Sequence, residues 1–276
     1  MNEIPPLNAS ALLKQYGLRA DKKLGQNFLQ DPFALEDITT AAQILPTDTV
    51  LEIGPGLGSL TRYLAVSARQ VNAVELDANL IPLLEAVTTP YGNVHITHGD
   101  ILKLSPKELA LEPNYLVVAN IPYYITSAII RHLLENEPKP RRIVLTIQKE
   151  VADRICAEPG DMSLLALSVQ VYGKPHITKR IPANAFFPAP KVDSAVLSVD
   201  IYPLPSIEPE LLNTFFKMTK AGFSQKRKTL RNSLSSGLRI PTAETEELLR
   251  NASIDPMRRA ETLSIEEWRN LCNLYK

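Results

Sequence analysis

Between residues 48 and 147, short β-rich runs alternate with stretches of helical periodicity. The runs fall at 49–53, 70–75, 94–97, 115–119 and 142–147, and the helical patterns near 59–67, 78–87, 105–110 and 125–135. Such alternation predicts βαβ units, hence an α/β domain with a parallel sheet covered on both faces. Residues 174–181 and 194–202 predict two further strands that close the sheet as an antiparallel pair. Residues 202–209 hold three prolines in eight positions and read as a linker. Beyond them, 210–276 show only helical periodicity. The expected organisation is a domain over 1–203, with an N-terminal extension at 1–47, and an all-helical domain over 204–276.

Composition changes this picture little. The 276 residues are 45% hydrophobic and 22% charged, an ordinary globular balance. No run approaches the roughly 18–20 apolar residues that span a bilayer, and the N-terminus lacks a secretory pattern. Cys156 and Cys272 stand far apart and do not make a disulfide framework or a cysteine-rich metal site. A reduced cytoplasm fits best. The four histidines, His95, His98, His132 and His176, do not cluster by spacing, so no metal is expected.

The main local signal is Val50-Leu-Glu-Ile-Gly-Pro-Gly-Leu-Gly-Ser-Leu-Thr61. An apolar strand enters three glycines, Gly54, Gly56 and Gly58, and a helix follows. Glycine permits a tight turn and lets a ligand approach the main chain. The spacing G-x-G-x-G is tighter than the dinucleotide fingerprint G-x-G-x-x-G. Glu52 sits inside the strand, where an acid repels a pyrophosphate and suits an amine or sulfonium. Glu75 ends the second strand, placed to accept from ribose hydroxyls. Asp100 follows the third and suits an adenine amine. Each acid alone also suits a helix N-cap. Three in succession beside this loop point to a nucleoside without phosphate and with a cationic tail, S-adenosylmethionine.

Asn120-Ile-Pro-Tyr-Tyr124 follows another strand, at the edge where open α/β sheets bind ligands. An adenine amine is a poor nucleophile because its lone pair is delocalised into the ring. The Asn120 side-chain carbonyl and the Ile121 main-chain carbonyl supply two acceptors for its N–H groups. Pro122 stiffens the turn, and Tyr123 suits stacking on a base. By itself the motif also reads as a proline-containing turn capped by Asn120.

These motifs resemble the ribosomal RNA adenine dimethyltransferase family, in particular its bacterial small-subunit branch. The resemblance extends to Lys22-Lys-Leu-Gly-Gln-Asn-Phe-Leu29, Phe186-Phe-Pro-Ala-Pro-Lys-Val-Asp-Ser194, Gln225-Lys-Arg-Lys-Thr-Leu-Arg-Asn-Ser-Leu234 and Arg259-Ala-Glu-Thr-Leu-Ser264, nearly the whole chain. It implies a Rossmann-like methyltransferase fold, with a seven-stranded mixed sheet and a small C-terminal helical domain. The implied donor site is Asn27, Leu29, Gly54, Gly56, Glu75, Leu76, Asp100, Ile101 and Asn120. The implied catalytic set is Asn120, Ile121, Pro122, Tyr123 and Phe186, with Phe186 stacking on the target base opposite Tyr123. The implied reaction moves four methyl groups from S-adenosylmethionine, leaving S-adenosylhomocysteine, to N6 of two adjacent adenosines near the 3′ end of small-subunit rRNA, in an immature 30S particle.

Formal net charge is zero, with 30 basic and 30 acidic residues, yet the basic residues are unevenly placed. From Lys217 to Arg239 there are seven basic residues and no acidic one. The expected RNA contacts are Lys22, Lys23, Lys191, Lys220, Lys226, Arg227, Lys228 and Arg231, acting on phosphates. The same 217–239 stretch also reads as an amphipathic helix with a solvated basic face. Trp268, with Leu271 and Leu274, reads as helix core. No feature demands a dimer or a membrane, so a monomer is expected. Competing readings are an NAD-dependent oxidoreductase, a large-subunit rRNA or DNA adenine methyltransferase, and an assembly factor acting mainly by binding.

Overall fold

The structure is a computed structural model that describes residues 4–275. Its contacts form two compact units. One comprises Met1–Ala152 and Pro175–Ile201; the other comprises Asp153–Lys174 and the chain from Tyr202 onward.

The first unit runs α1 (Ala9–Gln15), β1 (Phe28–Leu29), α2 (Pro32–Ala42), β2 (Thr49–Ile53), α3 (Ser59–Ser67), β3 (Gln70–Glu75), α4 (Ile81–Thr88), β4 (Val94–His98), β5 (Leu116–Asn120), α5 (Thr126–Glu135), β6 (Arg142–Gln148) and the start of α6 (Lys149–Ile155). It resumes in β7 (Gly173–Ile181), β8 (Phe186–Phe187) and β9 (Ser194–Ile201). The seven-stranded sheet has the order β4-β3-β2-β5-β6-β9-β7. Strands β2 to β6 pair in parallel, and β9 runs antiparallel to β6. The chain therefore winds outward from β2 through β3 to β4, then returns to the other side of β2 as β5. The split between β2 and β5 is the topological switch point, where such sheets bind ligands at the carboxyl ends of the strands.

The inner strands are apolar on both faces, as a parallel sheet under two helical layers requires. In β5, Leu116, Val117, Val118 and Ala119 are all fully buried. Helix α2 begins where Asp31 accepts from the Ala34 N–H and Pro32 opens the first turn. Its Ala34, Leu35, Ile38 and Ala42 form one stripe in the main core.

The helix expected at 105–110 is not formed. Ser105 and Glu108 bond reciprocally, as at a helix start, but Ala110 turns left-handed at φ 51°. The Leu111 N–H then reaches back to the Pro106 carbonyl and closes the turn. Buried Leu109 and Leu111 anchor the segment there, too short for a helix to propagate.

The second unit holds α7 (Leu164–Gln170), α8 (Leu212–Gly222), α9 (Leu230–Leu238), α10 (Thr242–Asn251) and α11 (Ile265–Leu274). Residues 153–174, expected in the first domain, belong here. The Gly160 N–H donates to the Glu261 carbonyl at 2.9 Å and the Tyr172 ring stacks on Phe216. The proline-rich 202–209 stretch is no free linker. Its Tyr202 and Ser206 N–H groups bond the Tyr172 and Val171 carbonyls, and Ile207 is fully buried. Trp268 is core, fully buried, with Gly222 so close that an added Cβ would lie 2.6 Å from its ring. Helix α11 starts on a capping box of Ser264 and Glu267, and Glu267 also pairs with Arg258.

At the amino end of β2, opposite the switch point, Asp48 accepts two bonds from the Arg141 guanidinium, both at 2.7 Å. Burial pushes Asp48 up, but Arg141 and the Leu45 N–H outweigh it and hold the carboxyl below its ordinary value. Asp48→Ala leaves Arg141 without this partner and should lower unfolding stability by about 2–4 kcal/mol. Chemical denaturation measures the loss; S-adenosylmethionine affinity should stay unchanged.

Candidate active site

The glycine loop leaves β2 at the switch point with Gly54, Gly56 and Gly58 at φ 66°, 57° and 81°. At Gly56 the requirement is twofold. The left-handed backbone disfavours other residues, and an added Cβ would lie 3.0 Å from the Phe28 ring. The Gly56 N–H donates to Glu75 Oε2 at 2.9 Å, and the Asp77 N–H donates to Glu75 Oε1 at 2.8 Å. Glu75 thus fixes the loop from the neighbouring strand and keeps lone pairs free for a ligand. Burial raises its carboxyl above the ordinary value, while these N–H groups oppose the rise.

One cleft gathers the residues expected to hold the donor. Asn27, Leu29, Gly54, Gly56, Glu75, Leu76, Asp100, Ile101 and Asn120 all line it, in a space of about 990 Å³ that includes its open mouth. Ile101 is buried and Leu76 is exposed, two apolar walls beside Glu75 and Asp100. Asp100 also caps the turn after it, accepting from the Leu102 N–H at 3.1 Å. The capping and ligand readings of this acid are therefore compatible.

Among the described residues, the lining carries three acids, Glu52, Glu75 and Asp100, and no lysine, arginine or histidine. Glu52 is 1% exposed, and its Oε2 has no hydrogen-bond partner among the described residues. Burial pushes it up to about 8, opposed by the nearby Thr61 hydroxyl and reinforced by the Glu75 charge. At neutral pH Glu52 is thus mostly protonated. A glycine cradle, three acids and no basic side chain fit a nucleoside with a cationic tail.

The turn after β5 supplies Asn120, Ile121, Pro122 and Tyr123 to the same cleft. An added Cβ at Gly54 would lie 4.0 Å from the Asn120 carbonyl oxygen, so the two motifs adjoin. Asn120 Nδ2 donates to the Asn27 carbonyl at 3.0 Å, and no described residue bonds Oδ1. The Ile121 side chain is buried, leaving its main chain to act. Tyr123 is half-buried, and its hydroxyl shares a 2.6 Å hydrogen bond with Ser194 Oγ.

Phe186 is not brought to the cleft. It is 3% exposed and packs in the main core, because β8 pairs with β1 and sets Phe186 beside Leu29. Strand alternation gives the opposite side to Phe187, which packs with Phe28 and Leu57. Phe186 thus secures the segment before α2 and is not among the residues that line the cleft.

Sequence reasoning missed how residues 24–29 strap the cleft. Gln26 Nε2 donates to Asp77 at 2.7 Å, and Tyr124, 61% exposed, rests against Gly25 at the mouth. The signal was present in the 22–29 motif, but no periodicity marks a strap.

Of the expected RNA contacts on the first unit, Lys22, Lys23 and Lys191 are exposed. On the second, Lys220 is exposed on α8, while Lys226, Arg227 and Lys228 stand exposed on the loop between α8 and α9, not on a helix. Arg231 differs: it is half-buried and its Nη1 donates to Glu246 at 3.1 Å. That pair removes it from the free cations.

The family model for ribosomal RNA adenine dimethylase matches residues 17–276. The chain belongs to this family. It is 48% identical over 274 residues to the ribosomal RNA small subunit methyltransferase A of Dehalococcoides mccartyi (strain CBDB1), covering 98% of this chain and 94% of that one. The Alkaliphilus metalliredigens (strain QYMF) protein of the same description is 42% identical, covering 97% and 96%. Among solved structures, a dimethyladenosine transferase from Plasmodium falciparum has a TM-score of 0.74 at 26% identity, covering 88% of this chain and 95% of that one. The 23S rRNA methyltransferase ErmE has a TM-score of 0.72 at 29% identity, covering 90% and 99%. Dimethylases of this family use S-adenosylmethionine, and the donor cleft described above is where this chain would hold it.

Glu52 generates a pH test. A carboxyl raised from 4.5 to about 8 in the fold stabilises fully below the unfolded value, and that contribution is lost as pH rises through the folded value. Ligand-free protein should therefore lose stability relative to Glu52→Gln between about pH 5 and pH 8.5. Thermal unfolding of both across that range should show the gap widening in favour of the variant; parallel curves would contradict the buried-acid account.

Proposed function

We propose that this chain transfers methyl groups from S-adenosylmethionine to N6 of two adjacent adenosines near the 3′ end of small-subunit rRNA. The observation that carries the reading is Asn120. Its Nδ2 is committed to the Asn27 carbonyl, which leaves Oδ1 as an acceptor in a cleft built for a cationic nucleoside. The high identity of small-subunit relatives over nearly the whole chain supports the small-subunit substrate over the large-subunit alternative.

Bound in the cleft, S-adenosylmethionine supplies an electrophilic methyl group and leaves as S-adenosylhomocysteine. Glu75 would accept from the ribose hydroxyls, Asp100 from the adenine amine of the donor, and Leu76 and Ile101 would flank its ring. On the substrate side, Asn120 Oδ1 and the Ile121 carbonyl would take the two N–H groups of the target amine and turn its lone pair toward the donor. Charge that develops on that nitrogen faces two carbonyl dipoles already in place. Holding the two reactants in register supplies most of the rate. After the first transfer the cationic nitrogen releases a proton to solvent, one N–H remains, and one acceptor suffices to orient it. The target base must be unstacked to enter, and an unpaired loop base costs least. Tyr123 gives it a stacking surface.

The substrate form is an immature 30S particle, the protein acts as a monomer, and it works in the cytoplasm, where that particle is assembled. Among the described residues, no helix is long and apolar enough to cross a membrane. Lys22, Lys23, Lys191, Lys220, Lys226, Arg227 and Lys228 anchor RNA through phosphates and read no sequence.

Incubation with immature 30S particles and labelled donor should yield N6,N6-dimethyladenosine in small-subunit rRNA; label elsewhere or none would refute the reading. Asn120→Ala should keep donor affinity and lower transfer by about 10²–10³-fold. Single-turnover assays would reveal the opposite result as undiminished transfer. Charge reversal at Lys226, Arg227 and Lys228 together should weaken binding to 30S particles and flatten its salt dependence, roughly one unit of log–log slope per lost phosphate contact. Binding titrations from low to high salt decide this, an unchanged slope being the contrary outcome.

A further inference from the structure

The Phe186–Ser194 motif lost its expected role when Phe186 proved to be core. Its last residue has a different connection to the reaction. Ser194 opens β9, is fully buried, and shares a 2.6 Å hydrogen bond with the Tyr123 hydroxyl. We propose that Ser194 is a positioning residue for methyl transfer: its hydroxyl fixes the position of the Tyr123 ring on which the target adenine lies. This rests on the proposed adenine-N6 reaction.

The physical case starts from Tyr123. The residue sits in a single 3₁₀ turn, Tyr123–Ile125, with its ring on the wall of an open cleft. A side chain on such a wall has staggered alternatives separated by small energies. Stacking gains little unless the platform is already in place, because each rotamer immobilised on binding costs affinity. A hydrogen bond at the far end of the ring removes that freedom beforehand. Burial raises the Tyr123 hydroxyl above its ordinary value, so it stays protonated and able to donate.

The anchor itself is rigid. Strand β9 pairs with β6 over its length, Ser194 opposite Gln148. The preceding residue is fixed on two sides: the Asp193 carbonyl accepts from the Lys149 N–H, and its carboxylate accepts from the Ala183 N–H, both at 3.0 Å. Ser198, on the same strand, is equally buried, yet its hydroxyl has no partner among the described residues. The strand therefore accommodates a serine without a hydrogen bond, and fold maintenance alone does not account for the bond at Ser194. The Asn120 amide is held from the strap and the Tyr123 ring from β9, so the amine and the ring of the target base are each referred to a fixed element.

The test is a double-mutant cycle on undermethylated small ribosomal subunits with labelled S-adenosylmethionine. Ser194→Ala and Tyr123→Phe should each lower kcat about five- to tenfold, and the double variant should lose no more than either alone. Donor affinity should stay within about twofold of wild type. Ser198→Ala, a matched buried hydroxyl, should keep full activity. Losses that multiply in the double variant, or full activity in either single variant, overturn the role. Tyr123→Phe keeps the ring and decides the matter alone if Ser194→Ala does not fold. Wild-type protein that binds the donor and methylates nothing would overturn the proposed function instead, so the two failures are distinguishable.

Discussion

The site depends on one hydrogen bond, from the Asn120 side-chain amide to the Asn27 carbonyl. A free asparagine at the end of a strand can present either its oxygen or its nitrogen to a ligand. Here the nitrogen is taken, which leaves the oxygen as the free acceptor. The bond also joins the strap to the end of β5, closing one wall of the cleft beside the glycine loop. Gln26 on Asp77 and Gly25 under Tyr124 hold the same strap to two further elements. Packing of β8 against β1 secures its far end.

The donor side is governed by a different constraint, the cost of burying charge. Glu75 is partly compensated by two N–H groups, whereas Glu52 is opposed only by the Thr61 hydroxyl and burial pushes it up to about 8. An acid-lined cleft without a basic side chain favours a ligand that carries positive charge. The two halves meet where β2 and β5 part, at the one place in the sheet where adjacent strands send their connections in opposite directions.

Much of this was legible in the sequence. The sheet strands betray themselves by β-branched runs, and the glycine loop by a spacing that only a tight turn explains. The cleft residues follow because strand ends in a parallel sheet converge. What was hidden has physical causes. The two-residue strands β1 and β8 have no period to read. Residues 153–174 carry helical character without a sign of which core they join; Tyr172 on Phe216 settles it through space. The proline-rich stretch looked like a linker because its buried Ile207 is a single residue. The surroundings of Phe186 and Arg231 were hidden for one reason: residue type suggests a stacking ring or a free cation, and only tertiary contacts show the ring packed in the core and the cation on Glu246.

The most direct test of the account is a crystal structure with S-adenosylhomocysteine and adenosine in the cleft. Asn120 Oδ1 and the Ile121 carbonyl should each stand at hydrogen-bond distance, about 2.8–3.1 Å, from the exocyclic amine, with Nδ2 still on the Asn27 carbonyl. An Asn120 side chain turned with its nitrogen toward the base, or a base bound away from the Asn120–Tyr123 turn, would contradict it.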